Sequence, residues 1–285
     1  MVRTLLVSVL LLLGGLAPEP SFAHPHFQPQ RVVSINLCTD QLAMMVAGPD
    51  QLISVSKLAF DPNTSVMVDR AKRYRMNHAR AEEIIRMKPD LVLAGIYTSK
   101  NTINLLQRFG VRVEQFSPDS GFDAIRKNIL RIGNLLGQHE RASRLLRDFD
   151  NKLASLKKSA PKEQKVLASY EPSSYTGGAG TLANEMIKAA GLRHMGEDLG
   201  FHGSSVKLSL EALIRENPDF VMSWSQWTGG PARATQILRH PALDEWFGPE
   251  RRVTVDTRYW ICGGPFTVDA IADLQKKILQ RERGN

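Results

Sequence analysis

Two stretches of this 285-residue chain carry one pattern, and that repetition restricts the fold more than any other feature. Ala81-Glu-Glu-Ile-Ile-Arg-Met-Lys-Pro-Asp-Leu-Val-Leu-Ala94 and Leu210-Glu-Ala-Leu-Ile-Arg-Glu-Asn-Pro-Asp-Phe-Val-Met-Ser223 lie 129 residues apart. Glu82/Glu211, Ile85/Ile214, Arg86/Arg215, Pro89/Pro218, Asp90/Asp219 and Val92/Val221 are identical. Each stretch reads as a short helix and then a buried strand, with the helix ending where a proline disfavours a helical residue before it. Helix–Pro-Asp–strand is a common α/β connector. Its recurrence at equivalent points of two halves favours a duplicated unit.

The rest of the chain alternates in the same way. In the first half, apolar runs at 31–36, 51–55, 91–94 and 111–116 predict strands. Helices are predicted after Thr39 or Asp40 as cap, over 81–87, and from Ser99 to Phe109, with 57–78 irregular. In the second half, strands are predicted at 166–170, 220–223 and 252–255. Helices are predicted at 181–190, 209–216, 232–239 and 268–280.

Between the halves, Ile125, Ile129, Ile132 and Leu136, then Ala142, Leu145, Phe149, Leu153 and Leu156, recur at helical spacing on either side of Gly137. The second run, over 139–158, would span roughly 30 Å. Its other face is charged, with Arg141, Arg144, Arg147 and Lys152. The fold expected is α/β: two Rossmann-like lobes with parallel sheets joined by one long backbone helix. The boundaries are a lobe over 24–121, a linking segment over 122–160, and a second lobe over 161–285.

The first 23 residues read as a cleavable export signal: Arg3, an apolar run from Leu5 to Leu16, and Ser21-Phe22-Ala23 as the cleavage site. In an oxidising compartment the two cysteines, Cys38 and Cys262, could form a disulfide closing a loop of more than 200 residues, worth roughly 4–5 kcal/mol. They read also as free thiols lining a site, or as two unrelated buried residues. The net charge of +8 is spread out, without the basic stripe and interleaved aromatics of a nucleic-acid binder.

Ligands of open parallel sheets bind beyond the carboxyl ends of the strands. The residues there are Asn36, Cys38 and Thr39, then Tyr97 and Thr98, then Tyr170 and Tyr175, then Trp224, Gln226 and Trp227, then Tyr259, Trp260 and Cys262. The aromatics suit a wall for a large, flat or greasy ligand, and singly each reads equally as a core cap. The loop Gly177-Gly-Ala-Gly180 precedes a helix and could offer amides to an anion. The run Arg70, Lys72, Arg73 and Arg75 is either solvated or draws anions toward the cleft. His194 and His202, with Met195, could hold a metal, but read more simply as isolated histidines. Ser-x-x-Lys occurs three times without its companion motifs, and neither Gly-x-Ser-x-Gly nor His-Glu-x-x-His occurs.

Arg31-Val-Val-Ser-Ile-Asn, the 82–93 segment, Ile132-Gly-Asn-Leu-Leu-Gly137 and Leu210-Glu-Ala-Leu-Ile-Arg-Glu-Asn-Pro-Asp together resemble the substrate-binding proteins of ABC importers for iron–siderophore, haem and cobalamin. The resemblance covers essentially the whole chain after residue 23. It implies a non-enzymatic, monomeric periplasmic receptor without a resident cofactor, taking a metal chelate between its lobes. Within that class the glycine loop and the basic run slightly favour a ferric siderophore over cobalamin, with haem as another member. It implies that Glu82 and Glu211 dock onto the membrane permease; from the residues alone, each is equally a surface charge compensating a helix dipole. The wall expected is Tyr97, Tyr170, Tyr175, Trp224, Trp227 and Trp260, with polar help from Asn36 and Thr39. The long helix would allow only small lobe motions, and a Cys38–Cys262 bridge would restrain them further. The rival is an exported enzyme using Cys38 or Cys262.

Overall fold

The computed structural model describes residues 28–118, 120–161, 163–224 and 233–283. The expected export segment over 1–23, Gln226 and Trp227 lie outside them. The first lobe runs β1 (Val32–Ser34), α1 (Leu37–Val46), β2 (Leu52–Ser56), α2 (Val68–Ala71), β3 (Arg75–Asn77), α3 (Ala81–Arg86), β4 (Leu91–Gly95), α4 (Lys100–Arg108) and β5 (Val113–Phe116). Its five strands are parallel in the order β3-β2-β1-β4-β5. The stretch expected to be irregular thus holds α2 and the edge strand β3. Arg75 and Met76 are exposed there, so no apolar alternation announces the strand.

α5 (Phe122–Leu136) and α6 (His139–Lys158) follow. They are separated at Gly137, whose φ of 65° suits a residue without Cβ. The second lobe contains β6 (Val166–Ser169), β7 (Tyr175–Thr176), α7 (Leu182–Ala189), β8 (Arg193–His194), α8 (Met195–Asp198), β9 (Val206–Lys207), α9 (Leu210–Glu216), β10 (Phe220–Trp224), α10 (Pro241–Trp246), β11 (Arg252–Val255) and α11 (Thr267–Arg283). Four parallel strands are ordered β11-β10-β6-β8, and β7 and β9 form a separate antiparallel pair. Residues 233–239, expected as α-helix, form a 3-10 segment.

The echoed segments become α3–β4 and α9–β10. Their identical aspartates do one job: Asp90 accepts from the Arg31 N–H at the start of β1, and Asp219 from the Val166 N–H at the start of β6. The helix of each repeat ends in a left-handed residue at matching positions, Lys88 (φ 48°) and Asn217 (φ 46°). An arginine then binds a carbonyl at each turn: Arg31 donates to Met87 O, and Arg251 to Pro218 O.

α6 bridges the two sheets' layers. It packs on α1 of the first lobe and on α7 and α11 of the second. Arg141 near its start donates to Ala47 O at the end of α1, and Gln275 of α11 donates to Leu156 O near its end. Its buried Ala142, Phe149 and Leu153 belong to one apolar core that runs through both lobes. Within the paired helices, Gly133 allows close approach: a Cβ there would lie 2.3 Å from that of Ala142.

Candidate functional site

α1 starts earlier than either expected cap. Asn36, extended at φ −145°, is its N-cap, and its side-chain oxygen accepts from the Cys38 N–H at 3.0 Å. This geometry holds Asn36 between the ends of β1 and β4. Gly95 closes β4 beneath it, where a Cβ would come within 2.8 Å of Asn36 Nδ2. Thr39 is fully buried, its hydroxyl bonded to Ser34 and to Asn36 O.

A cavity of about 180 Å³ opens at this point. It lies where the strand order turns from β1 to β4, the position at which open parallel sheets bind ligands. Asn36 follows β1, Cys38, Thr39 and Leu42 come from α1, and Gly95–Tyr97 from the end of β4 and just beyond. Phe116 ends β5, Ser117 and Pro118 follow it, Asn128 comes from α5, and the second lobe supplies Ile261, Cys262 and Gly263. Cys38 and Cys262 are joined in a disulfide, with Cα atoms 5.0 Å apart. Around the mouth, Tyr97 is 84% exposed, and Ile96 and Ile261 also stand open to solvent.

Among the described residues, the structure brings only Tyr97 of the expected aromatic wall to this cavity. Tyr170 is wholly buried, with its hydroxyl donating to Ser174. The hydrogen-bond pattern explains why. Tyr170 N donates to Met222 O as Ile35 N donates to Leu93 O, so Tyr170 occupies the core position that Ile35 fills in the first lobe. Tyr175 sits on β7 under the Lys207 ammonium, 3.8 Å from its ring centroid. Trp260 is buried in the shared core. Trp224 ends β10. Ser117, Pro118 and Ile261 were overlooked because they are not aromatic, although the strand-end rule points to the first two. Asn128 carries no signal at all, since only the docking of α5 brings it there.

Other candidates resolve into structure. In the glycine loop, Gly178 N–H donates to Gly203 O and Ala179 N–H to Phe201 O, so these amides are spent internally instead of facing an anion. Gly196 and Gly178 are needed for that tight packing: Cβ atoms would fall 1.9 Å from Gly177 O and 2.0 Å from Phe201 O. His194 is buried, its Nδ1–H donating to Asn184 Oδ1 and its Nε2 accepting from the Ser169 hydroxyl. Burial lowers its pKa to about 4, so it is a neutral core residue and both ring nitrogens are engaged. Arg70, Lys72, Arg73 and Arg75 are exposed and line no part of the cavity, and Lys72 pairs with Asp69. Glu82 and Glu211 are both exposed in the first turns of α3 and α9. Hydrogen bonds from its own backbone N–H and from Ser209 hold the Glu211 carboxyl below the usual range. Among the described residues no cluster of three His, Cys, Asp or Glu side chains could hold a metal ion, and no helix is long and apolar enough to cross a membrane.

The chain belongs to the periplasmic binding protein family, whose model matches residues 32–246. A cobalamin-binding protein of Halobacterium salinarum is 24% identical over 199 residues, 69% of this chain; the match spans only 54% of that relative's length. Among solved structures, a possible iron-binding periplasmic protein of Staphylococcus epidermidis superposes with a TM-score of 0.72 at 21% identity, covering 88% of this chain and 99% of the other. The periplasmic haem-binding protein RhuT of Roseiflexus gives 0.70 at 21% identity, covering 88% and 98%. These likenesses establish the fold with its two lobes and parallel sheets.

Proposed function

We propose that this protein is the periplasmic receptor of an ABC importer, exported by its leader and capturing a metal chelate between its lobes. Family membership supports the receptor role. The observation that carries the site is the cavity at the β1/β4 turn of the first sheet, closed from the opposite lobe by Ile261–Gly263. Tyr97 and Asn36 are its contacts for ligand: an open aromatic face at the rim and an amide fixed by Cys38. Relatives named for cobalamin, haem and iron set the chelate classes to try. The apolar mouth and uncharged lining support a corrinoid over an acidic ferric siderophore, reversing the preference drawn from the glycine loop and basic run. Glu82 and Glu211, repeated in the two lobes and both exposed, are the docking contacts for the permease. The rival enzyme needs a cysteine thiolate, and both sulfurs are in the disulfide.

Isothermal titration with cyanocobalamin, haemin and ferric siderophores is expected to show saturable binding of one of them. Tyr97→Ala should weaken it about tenfold, or about 1.4 kcal/mol. Silence from all three classes would reject the receptor reading. Joint Glu82→Ala and Glu211→Ala should abolish uptake into cells with affinity unchanged; undiminished uptake would remove the docking role.

A further inference from the structure

We infer that the Cys38–Cys262 cystine is itself part of the cargo-binding surface, and that the cargo presents an uncharged, apolar edge to it. This inference rests on the receptor reading above.

Both halves of the cystine line the cavity. Among the described residues, the second lobe reaches that cavity only through Ile261, Cys262 and Gly263, the segment the bond anchors. On the other side, the bond fixes Cys38, whose N–H holds the Asn36 side chain in place. One covalent link therefore sets an apolar wall and a polar contact at once. Leu37, Phe266 and Tyr259 pack behind it and hold the sulfurs against the cavity. The Arg258 guanidinium of the second lobe also reaches Pro62 O of the first, so the clamped stretch is wider than the bond alone.

The lining chemistry defines the complementary ligand surface. No described residue of this cavity is ionisable except Tyr97. Moving a carboxylate into such a place without a partner charge is costly. A neutral edge with carbonyl or amide groups can instead use the Asn36 amide while its apolar part covers the cystine, Ile96 and Ile261.

The test uses the full chain with cyanocobalamin, haemin and a ferric hydroxamate as probes. Whichever binds the oxidised protein is expected to bind Cys38→Ala/Cys262→Ala about tenfold more weakly, with an unchanged circular dichroism spectrum. The second readout needs no variant. A water-soluble phosphine cleaves the S–S bond to two thiols, the phosphine becoming its oxide with oxygen from water. A saturating probe should slow that cleavage several-fold, because the cargo covers the sulfurs. A cystine that merely stabilised the fold from a distance would be cleaved at the same rate with and without probe, and that result overturns the inference while leaving the receptor reading intact. Absence of binding by the oxidised protein to every probe overturns both. Should the double variant fail to fold, the rate comparison on the natural protein decides.

Discussion

The two lobes are one design executed twice with different margins. Reading outward from their first strands, β2-β1-β4-β5 of the first lobe corresponds to β8-β6-β10-β11 of the second, and among the described residues only the first lobe adds an outer strand, β3. The connectors α3–β4 and α9–β10 match in sequence, backbone hand and aspartate contacts. The differences lie beyond the strand ends. In the first lobe these ends form most of the cavity wall. In the second, Tyr170 turns inward and the small β7–β9 pair with its glycine loop occupies the space. What repeats is the scaffold; the cavity lining is asymmetric, most of it from one lobe and a covalently anchored strip from the other.

Removing that anchor is the strongest way to break the pairing of the lobes. The bond joins residues 224 apart, so its loss should cost about 5 kcal/mol by loop-closure entropy, read as a lower urea midpoint for Cys38→Ala/Cys262→Ala. An unchanged midpoint would mean that the shared core alone sets the lobes' stability.

The buried titrating groups sharpen the contrast, because they act with opposite sign. In the first lobe, burial raises the Asp40 carboxyl from 3.8 to about 6, with hydrogen bonds from Ser34 and Ser56 offsetting only part of it. The folded state thus holds a proton that the unfolded chain releases. That contribution is full below pH 3.8 and is lost as pH rises through about 6, for about 3 kcal/mol in total. In the second lobe, burial lowers His194 from 6.5 to about 4. Its contribution is full above pH 6.5 and is lost as pH falls through about 4, again for about 3 kcal/mol. Urea unfolding between pH about 4 and 7 should therefore shift in opposite directions for the two replacements. Asp40→Asn should make stability rise more steeply with pH, and His194→Gln should flatten the rise. Equal slopes in both variants and the natural protein would refute the assignment.

The smallest expected difference concerns the repeated aspartates. Asp90 accepts from both Gln30 N–H and Arg31 N–H, whereas Asp219 accepts from Val166 N–H. Asp90→Ala should cost about 2 kcal/mol and Asp219→Ala about 1 kcal/mol in the same assay. The reverse order would show that the number of N–H donors does not set the cost.

The scaffold was legible because it rests on local signals: apolar periodicity, Pro-Asp stops, the Gly137 break and the internal repeat. Asn36 and Tyr97 were legible as strand-end residues. Tyr170 was misjudged because position after a strand does not say which way a side chain turns. Aligning the first strands by their aspartate contacts, which needs the structure, equates it with Ile35 and gives the answer. The glycine loop reads in sequence as a possible anion cradle because sequence does not reveal that Gly203 O and Phe201 O take up its amides. Asn128 and Ile261 enter the cavity only through the docking of distant elements, which no local pattern encodes.

The linking segment has a mechanical consequence. α5 and α6 run antiparallel, pinned where Gly133 meets Ala142 and where Arg126 grips Asp150. Two rods bonded along their length behave as a flat beam, stiff against flexing within the plane that contains both axes and more compliant across it. Breathing between the lobes is therefore expected to be a shallow sideways rock, steered by the beam's cross-section.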